Sequence, residues 1–222
     1  MVGPGRVQLE SGVTRDDADG VANTSFGELL VRVGLTDHVE LRLYPNSFVR
    51  RSTPGAADNQ GIEDSRVGVK LRLLNPDSLR SALMPRLTAV SSATIPDGSS
   101  GIGAGVVLAD AKLSASWSLP RRFSLYSNAG LGTVLGDGGS RGLRQAGSVA
   151  LWYSATPAVS VFSELYAAAG RNAVGVAAVG AADAGATWLV PGGRLQFDVR
   201  AGRSVVQGTH ERFVGAGMAA LW

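Results

Sequence analysis

Residues 187–202 read TWLVPGGRLQFDVRAG and show the pattern on which the rest of the chain is built. A Pro-Gly-Gly turn separates two segments, and in the second one apolar and polar residues alternate in the order LQFDVRAG. A period of two places the apolar side chains on one face of a β-strand and the polar ones on the other. The stretch therefore predicts a β-hairpin with one apolar face and one polar face.

Similar hairpins recur at residues 31–43, 116–127 and 151–164, each turning at Pro or at Thr-Asp. We predict an all-β fold, a closed antiparallel up-and-down transmembrane β-barrel of about 12 strands, as one domain over residues 1–222. The alternating segments lie at 7–14, 28–35, 39–44, 67–73, 84–95, 107–117, 123–135, 147–153, 159–167, 182–190, 195–205 and 213–222.

Long and short connections follow one another along the chain. Barrels of the bacterial outer membrane have short periplasmic turns and longer external loops, so this rhythm predicts an outer-membrane protein. The Ala-, Gly- and Val-rich residues 168–182 fit either a continuation of the flanking strands or an apolar loop. The predicted long loops are 15–24, 45–65, 96–102, 136–145, 169–181 and 206–211; the tight turns are 36–37, 120–121, 156–158 and 191–193, and 75–83 is intermediate.

Alternation alone does not say which face meets lipid, because a soluble barrel inverts the arrangement. Three tryptophans, Trp117, Trp188 and Trp222, fall near strand ends, where interfacial aromatic girdles of membrane barrels belong. The aromatic C-terminal residue also completes an alternating last strand. These features favour lipid outside, with a soluble lipocalin-like barrel or sandwich as the alternative.

The bulk composition narrows the function classes. A net charge of +3 without a basic cluster argues against nucleic-acid binding. No apolar run reaches the length of about 18 residues that a transmembrane helix needs. The N-terminus lacks the apolar segment of a secretory signal, so we infer that the signal was trimmed or that the start site is shifted.

Motifs for enzymatic chemistry are weak. His38 and His210, the two histidines, lie at opposite ends of the predicted barrel and cannot share a catalytic or metal site. The glycines of GIGAG (101–105) lack the Lys-Ser/Thr of a phosphate-binding loop. We predict no enzyme activity, no cofactor and no metal.

The alternation places a balanced set of charges on the inner face, and enclosed charges need pairing or water. We expect Arg32 and Arg42 to face Glu28 and Glu40, with Asp198 and Arg200 near Asp183. These inward charges either line a polar path or hold a narrow barrel together by ion pairs. The predicted lumen-lining residues are Glu28, Arg32, Glu40, Arg42, Lys70, Arg72, Arg86, Lys112, Glu164, Asp183, Asp198 and Arg200, joined by Glu10 and Asp110.

The chain resembles the outer-membrane barrels grouped as phenol-degradation meta-pathway transporters. Matching stretches are ELLVRVGLTDHVELRL (28–43), SRVGVKLRLL (65–74), VFSELYAAAG (161–170), ADAGATWLVPGGRLQFDVRAG (182–202) and FVGAGMAALW (213–222). The resemblance implies a pore or uptake barrel for small molecules, hydrophobic or aromatic ones among them. Its partners would be outer-membrane lipid and a small-molecule solute. A structural or adhesive outer-membrane barrel with a plugged, ion-paired interior is the alternative.

Overall fold

The structure, a computed structural model, describes residues 1–76, 84–136, 139–172, 175–206 and 210–222. Within them, no helix is long and apolar enough to cross a membrane. Fourteen strands form one antiparallel sheet. They are β1 (Val7–Ala18), β2 (Val21–Gly34), β3 (Val39–Tyr44), β4 (Phe48–Ser52), β5 (Asn59–Ile62), β6 (Ser65–Leu74), β7 (Arg86–Ile95), β8 (Ala109–Ser118), β9 (Phe123–Leu135), β10 (Arg141–Ser154), β11 (Val159–Asn172), β12 (Gly175–Leu189), β13 (Leu195–Ser204) and β14 (Glu211–Leu221).

The sheet closes on itself through β1. This strand pairs with β2 on one side and with β14 on the other, from Gln8 opposite Leu221 to Ala18 opposite Glu211. Trp222 and Val7 extend the closure by exchanging backbone hydrogen bonds of 2.9 and 3.2 Å. A closed sheet has no free edge, which removes the site where an open sheet pairs with other chains.

Twelve strand positions make up the barrel wall. β4 pairs with β2 beyond the point where β3 stops, and β5 pairs with β4 just as β6 pairs with β3. After a short interruption, β4 and β5 thus continue β3 and β6 as a two-stranded ribbon toward the end of the barrel that carries the β1–β2 turn. The predicted fold class and the number of about 12 strands are confirmed.

Two of the predicted long loops, 15–24 and 45–65, are wrong, because strands continue through them. Residues 15–24 belong to β1 and β2, joined by a two-residue turn at Asp19 and Gly20 whose φ angles are 49° and 86°. Residues 45–65 contain the β4–β5 ribbon. Of the two alternatives for 168–182, continuation of the flanking strands is the one observed, since most of 169–181 belongs to β11 and β12. Where both faces of a ribbon meet water, pairing needs no alternation of apolar and polar residues, so the pattern disappears while the strand persists.

The other connections differ in how far the structure describes them. The predicted loop at 136–145 ends early, because β10 begins at Arg141. Loop 96–108 is longer than predicted and carries no strand. Residues 77–83, 137–138, 173–174 and 207–209, which belong to other predicted connections, lie outside the described residues.

Large apolar side chains cover the outside of the wall. Leu131 and Leu165 are 60% and 61% exposed, although both lie within strands. Near the short turns, the outer face carries aromatic pairs: Phe123 with Tyr153 at 4.9 Å between ring centroids, and Trp188 with Phe197 at 5.9 Å. These aromatic pairs and the apolar band beside them form a surface suited to contact with a lipid bilayer.

Candidate functional site

Glu40 on β3 is the most buried charged side chain in the described part of the chain, with 0% exposure. Arg32 on β2 donates to it twice, from Nε at 2.8 Å and from Nη2 at 3.0 Å. Arg42 Nη1 donates at 3.1 Å, and the Val2 backbone N–H donates at 2.8 Å. The carboxylate is therefore fully hydrogen-bonded by cationic and backbone donors, which is what a buried charge requires.

The Glu40 cluster extends along β3 and, through Arg32, across β2 to β1. Arg32 Nη1 also donates to Glu10 at 2.8 Å, and Glu10 accepts from the Gln8 amide at 2.9 Å. Arg42 Nε donates to the Tyr44 hydroxyl at 2.7 Å. Three strands, β1, β2 and β3, are thus joined by one polar network that faces the inside of the barrel.

Glu28 does not join this network, contrary to the predicted pairing with Arg32 or Arg42. Its carboxylate accepts a hydrogen bond from the Thr14 hydroxyl at 3.0 Å. Glu28 has a positive φ of 35° and follows Gly27 at 90°, where the pairing of β1 with β2 shifts register. The bulge inserts one residue into β2, and this redirects the side chains on either side of it.

Basic side chains line the wall beyond Glu40. Lys70 on β6 stands opposite Glu40, and Arg72 is two residues further along β6, opposite Thr88. Lys112 on β8 lines a 270 Å³ cavity together with Asn128 and Glu164. Arg86, near the start of β7, reaches the Ser118 hydroxyl at 3.4 Å.

The opposite wall is acidic. Glu164, Asp183 and Asp198 come from β11, β12 and β13 and line a cavity of 610 Å³ together with Arg200. None of the three carboxylates forms an ion pair with another described residue. In the register of β12 with β13, Arg200 stands opposite Gly185, two residues from Asp183, and Asp198 stands opposite Thr187, four residues from it. Asp183 forms an ion pair with neither Arg200 nor another described residue.

Aromatic side chains inside the barrel were not anticipated from the sequence. Trp152 on β10 and Phe162 on β11 stand opposite each other and stack, with centroids 4.7 Å apart and planes 17° apart. Tyr126 on β9 meets Trp152 edge-on at 5.9 Å. Tyr166 and Phe213 form a second contact at 6.5 Å. The signal is present in β11, where Phe162, Glu164 and Tyr166 alternate with the outward residues Val161, Ser163 and Leu165.

No group of three or more His, Cys, Asp or Glu side chains among the described residues is arranged to hold a metal ion. His38 lies in the turn between β2 and β3, and His210 precedes β14 at the other end of the barrel. The two imidazoles are thus separated by the length of the wall.

The comparisons with known proteins decide the family. The family model described as "Putative MetA-pathway of phenol degradation" matches residues 1–222, the whole chain. The chain belongs to this family. The resemblance expected from the five sequence stretches is thereby confirmed.

The family member shares its fold with solved outer-membrane proteins. It superposes on a crystallised outer membrane channel from Pseudomonas putida F1 with a TM-score of 0.72 at 14% identity, covering 100% of this chain and 96% of that one. The NanC porin gives 0.66 at 10% identity, covering 96% and 98%. The KdgM porin gives 0.59 at 10% identity, covering 95% and 98%. No curated protein matches the chain.

These likenesses establish the fold. The protein has the barrel fold of bacterial outer-membrane channels and porins, and its predicted localisation in the bacterial outer membrane is confirmed.

Proposed function

We propose that this protein is a non-enzymatic channel that passes small molecules, including hydrophobic and aromatic ones, across the bacterial outer membrane. The observation that carries the proposal is the charged inner wall. Glu164, Asp198 and Lys112 face cavities of 610 and 270 Å³ instead of packing against one another. In a barrel whose inner charges only hold a closed interior together, such charges would form ion pairs, because unpaired enclosed charges reduce stability.

The size of the wall supports a narrow path. Eight strands leave an interior that side chains fill, whereas about sixteen leave an aqueous channel. Twelve wall strands lie between these limits, and cavities of 610 and 270 Å³ remain inside the wall. The stacked Trp152 and Phe162 rings give the path an apolar surface suited to aromatic solutes.

Planar-bilayer recordings and liposome swelling test the channel proposal. We expect the purified barrel to conduct small ions and to admit benzyl alcohol faster than a disaccharide. A folded barrel that carries no ion current and admits neither solute would contradict the proposal.

A structural or adhesive barrel with a plugged interior is the second candidate, favoured by the Glu40 network, which draws Val2 against the inner wall. In that case the external ribbon would carry the function. Replacing residues 45–65 with a short turn would abolish it, while Arg42→Ala and Arg72→Ala would leave it intact. For a channel, the arginine substitutions would change conductance and the ribbon replacement would not.

A further inference from the structure

Two carboxylates face each other directly across β11 and β12. Glu164 and Asp183 are register partners on the same, inward face of the wall. Directly opposed residues in an antiparallel pair have Cβ atoms about 4.5–5.5 Å apart, and like charges in that arrangement destabilise the sheet. Neither residue has an ion-pair partner among the described residues. The folded barrel therefore holds a pair of adjacent acids that no ion pair neutralises among the described residues.

Asp183 is the more deeply buried of the two, with 7% exposure. Its Oδ1 atom is buried and has no hydrogen-bond partner among the described residues. A buried acceptor without a donor is uncommon in folded proteins and calls for a missing partner. Asp183 belongs to the lining of the 610 Å³ cavity, so the negative charge of its carboxylate acts on a cation bound in the lumen.

The surrounding cavity has an excess of negative charge. Five acids and two arginines line it, a formal difference of −3. One of those arginines, Arg32, is already bound to Glu10 and Glu40. The other, Arg200, has its guanidinium over the Phe213 ring, 5.5 Å from the centroid. The acids of the cavity are Glu10, Glu28, Glu164, Asp183 and Asp198.

Aromatic rings flank the acid pair. Along β11 the successive inward residues are Phe162, Glu164 and Tyr166, so a carboxylate lies between two rings. Phe162 stacks on Trp152 and lies over Gly185, whose absent side chain leaves the space that the ring occupies. Aromatic faces attract cations, and tryptophan does so most strongly. The Arg200–Phe213 contact is an instance of this attraction in the same lumen.

The cavity beside the acid pair is large enough for a ligand. Gly215 and Gly217 on β14 and Gly12 on β1 line the same cavity without side chains. A volume of 610 Å³ falls in the range of about 300–1,000 Å³ that is typical of small-molecule sites.

We propose that Glu164, Asp183 and Asp198, with the Trp152–Phe162 stack, form a subsite for an organic cation that has an aromatic body. The ammonium group would lie between the carboxylates, and the ring would lie on the aromatic stack. The inference rests on the proposed channel function and assigns it a class of solute. Aromatic carboxylates would meet the same three acids and be repelled.

Binding to the purified, folded barrel in non-ionic detergent tests the subsite directly. Benzyltrimethylammonium is the probe, and isothermal titration calorimetry is the measurement. We expect it to bind, with tetramethylammonium and benzyl alcohol each weaker by about tenfold or more, because each lacks one of the two recognised parts. Binding of benzoate equal to that of benzyltrimethylammonium would overturn the inference.

Variants locate the site. We expect Asp183→Asn and Glu164→Gln each to weaken the binding of benzyltrimethylammonium by about thirtyfold or more, since each removes a charge that faces the cation. Phe162→Leu should weaken it by about tenfold. Asp58→Asn, the same change of chemistry on the external ribbon, should leave binding unchanged. If Asp183→Asn and Asp58→Asn bind alike, the site is wrong.

A stability measurement separates loss of ligand contact from loss of fold. Because Asp183→Asn removes a like-charge contact, this variant should unfold at a higher urea concentration than the parent while binding the probe more weakly. Weaker binding accompanied by easier unfolding would point to a structural role and overturn the assignment.

The two proposals fail separately. A barrel that conducts potassium chloride but does not bind benzyltrimethylammonium retains the channel function and loses the subsite. A barrel that binds the cation but passes neither ions nor solutes retains the subsite and loses the channel function.

Discussion

Arg32 and Glu40, on adjacent strands, form a two-pronged contact inside the barrel, with Nε–Oε1 at 2.8 Å and Nη2–Oε2 at 3.0 Å. Glu40 is fully buried, so its charge is compensated by these donors, by Arg42 and by the Val2 backbone N–H. The pair joins β2 to β3 at the point where β3 and β6 also meet. Loss of this pair should therefore lower the stability of the whole wall.

We expect Glu40→Leu to lower the free energy of unfolding by about 3–5 kcal/mol, because it leaves two buried arginines without their shared acceptor. Urea unfolding of the barrel in lipid vesicles measures the change. The double variant Arg32→Met/Glu40→Leu should recover part of the loss, since one of the uncompensated charges is then gone. An unchanged unfolding free energy in Glu40→Leu would contradict the role of this network.

Asp64 organises the external loop 96–108. Its carboxylate accepts backbone hydrogen bonds from Gly98 at 2.8 Å, Ala104 at 2.8 Å and Gly105 at 3.2 Å. Asp64→Ala removes the acceptor of all three hydrogen bonds. We therefore expect amide hydrogen exchange in 96–108 to accelerate by about tenfold, which corresponds to the net free energy of about one hydrogen bond. Asp37→Ala, in a turn at the opposite end of the barrel, is the control. Equal exchange in both variants would show that the loop is held by other contacts.

Asp97 gives the same loop a pH dependence. Hydrogen bonds from the Ser65 hydroxyl and the Ser65 backbone N–H hold the pKa of Asp97 below its ordinary value of 3.8. A lowered folded-state pKa means that the stabilisation is present above pH 3.8 and is lost as pH falls through the lower folded value.

The protection of the loop amides against hydrogen exchange should accordingly stay constant between neutral pH and pH 5 and decrease only below pH 3.8. Hydrogen exchange of 96–108, corrected for intrinsic rates, measures this. Asp97→Asn should remove the acid-dependent step. A loss of protection near neutral pH that Asp97→Asn abolishes would contradict the assigned direction.

Gly185 sets the position of the Phe162 ring. A methyl group at Gly185 would lie 2.6 Å from two ring carbons of Phe162 and would also collide with the Val199 carbonyl. We expect Gly185→Ala to lower the unfolding free energy by about 1–3 kcal/mol through overpacking. Gly170→Ala, where the nearest atoms lie 3.9 Å away, is the matched control and should be tolerated. Similar losses in the two variants would refute the close packing.

The barrel could be predicted from the sequence because lipid and lumen impose opposite demands on successive residues. That constraint acts along β13, where Phe197 and Val199 alternate with Asp198 and Arg200. It disappears beyond the membrane, so the strands through residues 15–24 and 45–65 were interpreted as loops. The Asp19–Gly20 dipeptide was the available hairpin signal, because both residues adopt the positive φ of a tight turn.

The inner wall was harder to predict. Its charged residues follow from alternation, but their partners depend on register. The bulge beside Glu28 directs this residue to Thr14, and Glu40 gathers both arginines. The side on which Trp152 lies could not be decided from its own strand. It follows from its pairing with Phe162, whose inward direction is indicated by the alternation along β11, but the register that joins the two residues is a contact between strands.

Thiol accessibility tests most directly whether lipid lies outside the wall and water inside it. The chain contains no cysteine, so a single introduced thiol gives an unambiguous signal. Ser148 on β10 lines the inner cavity, and the next residue, Val149, is 50% exposed on the outer face. In proteoliposomes, a small, charged, water-soluble thiol reagent should label Ser148→Cys and leave Val149→Cys unreacted. Labelling of Val149→Cys with protection of Ser148→Cys would contradict the account.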